Sequence, residues 1–247
     1  MALDWLIARP VAHRGLHDAA AGIIENTPAA FRAAVAANYA IECDIQISAD
    51  GEAMVFHDQT LERLTEGSGR LDAISAAALK RVVFRGTTNR MITLGELTEL
   101  VADRTALLVE IKSRFDGDLR LVTRAAQVLA GYRGRVALMS FDPAPIAALR
   151  TLAPHLPRGI VAERRYDHPE WSPLSARTKR ALAYFQHALQ SRPQFVAYSV
   201  RDLSSAIPRL ARNVLRLPLL TWTVRTDVDR ERAARYADQM IFEGFRP

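Results

Sequence analysis

Ala40-Ile-Glu-Cys-Asp-Ile45 and Ala106-Leu-Leu-Val-Glu-Ile-Lys112 are short apolar runs that carry charged residues toward their C-terminal ends. Their length and composition read as strands buried on both faces, the signature of a parallel sheet. Six further runs read the same way. They are Pro10-Val-Ala-His13, Val136-Ala-Leu-Met-Ser140, Gly159-Ile-Val-Ala162, Phe195-Val-Ala-Tyr-Ser199, Leu219-Leu-Thr-Trp-Thr-Val224 and Met240-Ile-Phe-Glu243. The segments between them have helical period. Thr27-Pro28 places an N-cap before a proline at the first helical position, opening a helix to about Asn38. Thr93-Leu-Gly-Glu96 has the spacing of a capping box. About eight strands with helical crossovers in 247 residues predict an α/β fold, a TIM (β/α)8 barrel, rather than an open doubly wound sheet. No glycine-rich G-x-G-x-x-G loop follows a strand, which weighs against a dinucleotide fold.

One stretch breaks the alternation. Ile45 to His57 reads as a hairpin turning at Asp50-Gly51, which carries the chain past the barrel rim and returns His57 to it. Residues from about 58 to 90 form no strand–helix unit and read as a small insertion over the same face. The expected organisation is a single barrel domain over 1–247.

Composition bounds the partners. Hydrophobic residues make 49% of the chain and charged residues 24%, ordinary globular values. Cys43 is the one cysteine, so no internal disulfide can form. No apolar run approaches the roughly 18 residues of a membrane span, so stable membrane insertion is not expected. Asp4 stands where a signal peptide would be apolar, so a cytoplasmic protein is expected. The net charge is +6, but the arginines are scattered rather than clustered in a stripe. That argues against a nucleic-acid partner and leaves a mild attraction for small anions.

Side chains two apart on a strand share a face, so Glu42 and Asp44 point one way and Cys43 the other. Glu110 and Lys112 likewise share a face. Buried together, three carboxylates repel and desolvate one another, which a divalent cation or an ion-pair network with the neighbouring cations would relieve. An all-oxygen donor set favours Mg2+ or Ca2+ over zinc. His13 and His57 sit at strand ends beside these acids, and paired imidazoles fit a general acid and a general base. Arg14 offers a planar fork to a phosphate or carboxylate. His17, His155, His168 and His187 lie in loop or helical contexts and are not expected to have a role.

Taken in order, His13-Arg14-Gly15, Glu25-Asn26-Thr27, Glu42-x-Asp44, Asp50-Gly51, His57-Asp58, Leu61-x-Arg63-x-Thr65 and Glu110-x-Lys112 resemble the motifs of glycerophosphodiester phosphodiesterases. The likeness continues more weakly through Met139-Ser140-Phe141, Trp222-Thr223-Val224 and Ile241-Phe242-Glu243. It implies metal-dependent hydrolysis of a small phosphodiester to glycerol 3-phosphate and an alcohol. By that resemblance Glu42, Asp44 and Glu110 hold the metal, and His13 and His57 are the acid–base pair. Arg14 and Lys112 bind the phosphate, Trp222 lines the pocket mouth, and Glu25 and Asn26 support the metal residues.

The chain departs from the family pattern twice. Arg225 stands where Trp-Thr-Val is often followed by Asn, and Glu243-Gly244 where a Thr-Asp pair often closes the last strand. Both are expected to shape the leaving-group side rather than the chemistry. Two other readings remain at this level. One is a phosphodiesterase for lysophospholipids or another diester, with Leu64, Val83 and Phe84 as an apolar patch for an acyl chain. The other is a non-catalytic anion-binding barrel, against which the paired histidines argue.

Overall fold

The computed structural model describes residues 3–247. Its strands are β1 (Val11–Ala12), β2 (Ala40–Ile47), β3 (Ala53–Val55), β4 (Leu107–Ile111), β5 (Val136–Ser140), β6 (Arg158–Ala162), β7 (Phe195–Ser199), β8 (Leu219–Val224) and β9 (Gln239–Phe242). All but β3 are parallel, and β1 pairs with both β9 and β2, which closes the ring. The result is the TIM (β/α)8 barrel, with β3 outside the ring, antiparallel to the end of β2. The strands are buried on both faces because helices cover the outside and side chains fill the inside.

Two helix starts show how local chemistry sets the crossovers. Thr93 and Glu96 form the reciprocal capping box, with Thr93 N–H donating to Glu96 Oε2 at 2.9 Å. Thr27 precedes the helix Pro28–Ala36, but its hydroxyl donates backwards to Ile24 O at 2.7 Å instead of capping. That helix ends two residues before Asn38, which takes a left-handed φ of 63°.

Register aligns the chemistry. Asp44 lies beside Glu110, and Glu42 beside Leu108, which packs inside the barrel. Cys43 lies beside Val109 and faces the helices. The strand alternation therefore carries the acids to the inner face.

Residues 58–90 hold only a short 3-10 turn (Leu71–Ala73) and a one-turn helix (Ala76–Leu79). The segment has its own small core, in which Leu61, Leu71, Leu79 and Phe84 pack on Met54, Phe56 and Met91. Phe84 is thus buried, edge-on to Phe56, and Leu64 packs against the same cluster. These two side chains do not form an apolar patch at the barrel mouth, because the insertion needs them for its own packing. Among the described residues, no helix is long and apolar enough to cross a membrane.

Candidate active site

Glu42, Asp44 and Glu110 converge inside the barrel near the C-terminal ends of β2 and β4, each with a ligand atom within 4.8 Å of the others. All three are buried. Burial, together with the charges of Asp44 and Glu110, pushes the Glu42 carboxyl well above its ordinary range. Burial also raises Glu110, with Asp44 adding to it and Lys112 opposing. Asp44 moves the other way: its burial is outweighed by Lys112, His57, Arg14 and His13, which hold it well below.

Partners account for most of these oxygens. Lys112 Nζ is 2.6 Å from Glu110 Oε1 and 2.8 Å from Asp44 Oδ1, though off the direction of a hydrogen bond to the latter. Asn26 Nδ2 donates to Asp44 Oδ2 at 2.9 Å, and Asn26 Oδ1 accepts from the Asp44 amide at 3.2 Å. Glu42 Oε2 accepts the Arg14 amide at 2.9 Å, while Glu42 Oε1 has no partner. A buried carboxylate oxygen without a donor is costly, and a hard cation is the ligand such an oxygen cluster suits. The donor set therefore fits Mg2+ or Ca2+.

The loop after β1 is shaped for this contact. Arg14 takes φ 55°, and Gly15 takes φ 79° with its α-carbon so close to Ala30 that a β-carbon would meet it at 2.9 Å. That tight approach accounts for the glycine in His-Arg-Gly. The Arg14 side chain lies 2.7 Å from Glu25 Oε1 and 3.3 Å from Asp44 Oδ2. Burial opposes its charge, but Asp44, Glu25 and Glu42 more than compensate and raise its pKa. Glu25 is shared with Arg63 of the insertion, which also grips Asp58.

Both histidines line the cavity on which Glu42 and Glu110 open. His57 Nδ1 is 2.7 Å from Asp58 Oδ1, and Gln46 Nε2 donates to the His57 carbonyl at 2.8 Å. His13 Nδ1 is 2.6 Å from Glu243 Oε2, and its Nε2 is 4.0 Å from Glu42 Oε2. Burial lowers the His13 pKa to about 4 against the pull of Glu243. Burial would raise Glu243, but its bonds to His13 and Arg225 take it well below the usual carboxylate range. At neutral pH the pair is a carboxylate beside a neutral imidazole.

The cavity measures about 580 Å³ and is also lined by Arg14, Lys112 and Trp222. Trp222 donates its indole N–H to Ala197 O at 3.1 Å and packs edge-on to Phe141, which lies against Trp171. A second cavity of about 410 Å³ shares His57 and Lys112 and runs under the insertion past Asp72 and Arg114. The structure thus brings together every predicted site residue.

Sequence reasoning missed several neighbours. Glu243 and Arg225 are bonded to each other, and Glu243 also to His13. The signal was there: a carboxylate at the end of the strand that closes the ring against β1. His17 Nε2 lies 3.9 Å from Glu243, and His168 stands at the cavity wall, so neither is remote. Glu163, whose burial lifts its pKa to about 7, accepts from the Trp171 indole in the same cavity.

The profile of the "Glycerophosphoryl diester phosphodiesterase family" matches residues 13–245. The glycerophosphodiester phosphodiesterase of Caldanaerobacter subterraneus subsp. tengcongensis is 31% identical over 237 residues, covering 90% of this chain and 88% of that one. An Oleispira antarctica phosphodiesterase, solved in complex with the product sn-glycerol-3-phosphate, superposes with a TM-score of 0.75 at 18% identity, covering 94% and 91% of the two chains. The Thermotoga maritima glycerophosphodiester phosphodiesterase gives 0.71 at 21% identity, covering 95% and 94%. The extent of the profile match and the identity to the Caldanaerobacter enzyme show that the chain belongs to the glycerophosphoryl diester phosphodiesterase family and is a phosphoric diester hydrolase.

Proposed function

We propose that this chain, acting as one barrel unit over 1–247, hydrolyses glycerophosphodiesters to glycerol 3-phosphate and an alcohol, with one divalent cation and two histidines. The observation that carries the reading is the partnerless Glu42 Oε1 in a buried group of three carboxylates, flanked by His13 and His57. Glu42, Asp44 and Glu110 would hold Mg2+ or Ca2+, which supplies positive charge to the phosphate when bound. Arg14 and Lys112 add two fixed cations beside it. A phosphodiester has two arms, and the two cavities that meet at His57 and Lys112 offer room for both. Trp222 forms part of the apolar wall of the larger one.

In this reading His13, neutral and with Nδ1 turned to Glu243, presents an unprotonated Nε2 that accepts the proton as an oxygen bonds to phosphorus: that of water directly, or the substrate's own hydroxyl to give a cyclic phosphate that water then opens. His57, held by Asp58 and Gln46, protonates the departing alcohol oxygen as the phosphorus–oxygen bond breaks. Glu25 and Asn26 support this arrangement by fixing Arg14 and Asp44.

The test is release of glycerol 3-phosphate, measured by a coupled assay over a panel of glycerophosphodiesters and lysophospholipids, with and without chelator. Cation-dependent release from the glycerophosphodiesters is expected. Full activity after exhaustive chelation would overturn the metal role, and no release from any diester would overturn the function.

A further inference from the structure

We propose that Glu243 is a positioning residue that orients His13, and that Arg225 holds Glu243 in the pose this requires. The proposal rests on the phosphodiesterase reading above, and concerns how this particular chain orients its first histidine.

The backbone places the two side chains together. Glu243 follows β9, the strand that closes the barrel against β1, and His13 follows β1. The His13 amide donates to Phe242 O at 3.0 Å, and the Glu243 amide donates to Val224 O at 3.0 Å. These bonds fix both α-carbons on adjacent strand ends. Glu243 Oε2 then lies 2.6 Å from His13 Nδ1. An ionised carboxylate only accepts, so a proton of that short contact sits on Nδ1, and the neutral ring then carries its lone pair on Nε2. Nε2 is the atom that faces Glu42, at 4.0 Å. Glu243 therefore selects both the tautomer and the ring orientation that present a proton acceptor to the acidic cluster.

Arg225 fixes the carboxylate in turn. Its Nε donates to Glu243 Oε1 and its Nη2 to Oε2, both at 3.2 Å. A guanidinium fork matches a carboxylate in two bonds and so sets its plane as well as its place. His17 Nε2, 3.9 Å away, stands on the same carboxylate without a hydrogen-bond partner. Arg225 and the Glu243 of Glu243-Gly244, where the sequence departs from the motifs it resembles, thus touch each other.

A contact that merely ties β8 to β9 would leave other signatures than one acting through His13, and a double-mutant cycle separates them. Glu243→Ala should lower kcat by about 10- to 100-fold, the usual cost of losing a histidine's orienting partner. KM should change little, since no group that touches substrate is removed. In the His13→Ala background, with a diester of good leaving group, Glu243→Ala should cost nothing further; independent effects would multiply instead. Glu243→Gln is the near-isosteric companion in case the alanine variant unfolds. Its amide cannot accept from both His13 and Arg225 at every position, so a partial loss is expected. A second readout needs neither metal nor turnover. In 15N spectra of the metal-free protein, His13 should carry its proton on Nδ1, and that preference should be lost in Glu243→Ala. Equal losses with and without His13, or an unchanged tautomer, would overturn the proposal. If the wild-type protein cleaves no diester, the phosphodiesterase reading fails, while the spectra still decide whether Glu243 sets the tautomer.

Discussion

Replacing Glu42 by glutamine should make the cation-free protein more stable and the cation-loaded protein less so. Three buried carboxylates share two permanent cations, Arg14 and Lys112, and among the described residues Glu42 Oε1 has no donor. A buried polar atom left unsatisfied costs about 1–3 kcal/mol. Glutamine keeps the shape, can still accept the Arg14 amide, and turns an NH2 toward the neighbouring acids. In chelator the variant should therefore gain up to that amount, and a domain of this size melts roughly 2–4 °C higher per kcal/mol. The sign follows from linkage. The Glu42 pKa is raised in the folded state, so its penalty is absent below the ordinary value of 4.5 and grows as pH rises through the folded pKa. The gain should accordingly vanish in acid. With cation at about 100 times its Kd, the wild type gains about 2.7 kcal/mol of binding free energy. That is a rise of roughly 5–11 °C. Loss of one anionic ligand should shrink this rise in the variant. The measurement is a set of thermal melts from pH 4 to pH 8, in chelator and in Mg2+ or Ca2+. A variant that melts below the wild type in chelator, yet shows the full cation-induced rise, would refute the assignment of Glu42 to a cation.

His13→Ala and His57→Ala should each lower kcat by about 10²- to 10⁴-fold with little change in circular dichroism. His155→Ala is the control, since His168 lines the cavity. A glycerophosphodiester and its 2-deoxy analogue test whether the substrate's own hydroxyl attacks, which gains a large effective-molarity advantage over water. Near-total loss of turnover with retained inhibition is expected for the deoxy compound; equal turnover would leave water as the nucleophile. Burial would raise Asp58, but its bonds from His57 and Arg63 hold it below its ordinary 3.8. Its stabilising contribution is present above that value and lost as pH falls below it. Asp58→Asn should thus lower the melting temperature at pH 6 and have little effect near pH 2, and an equal loss at both would refute the sign.

The barrel was legible because its strands carry the pattern themselves. The run around Glu42 and Asp44 announces both a buried strand and a pair of acids on one face, since strand alternation puts them together, and the barrel turns that face inward. The motif histidines, Arg14 and Lys112 were legible from order and spacing. What spacing could not reach were partners set by ring closure. Glu243 meets His13 only because β9 pairs with β1, and Arg225 meets Glu243 only because β8 is the next strand. The insertion was opaque for another reason. Its residues pack in a small irregular core with neither a helical nor a strand period, so Phe84 and Leu64 gave no sign of which way they face.

Ring closure also sets an order in time. Synthesis runs from the N terminus, so Glu42, Asp44 and Glu110 leave the ribosome well before β8 and β9. His13 and Glu243 are 230 positions apart. A nascent chain therefore carries all three acids and both histidines well before Glu243 can reach His13. The orienting contact appears only when the last strand docks, so full hydrolytic competence reports that the whole barrel has been made and closed.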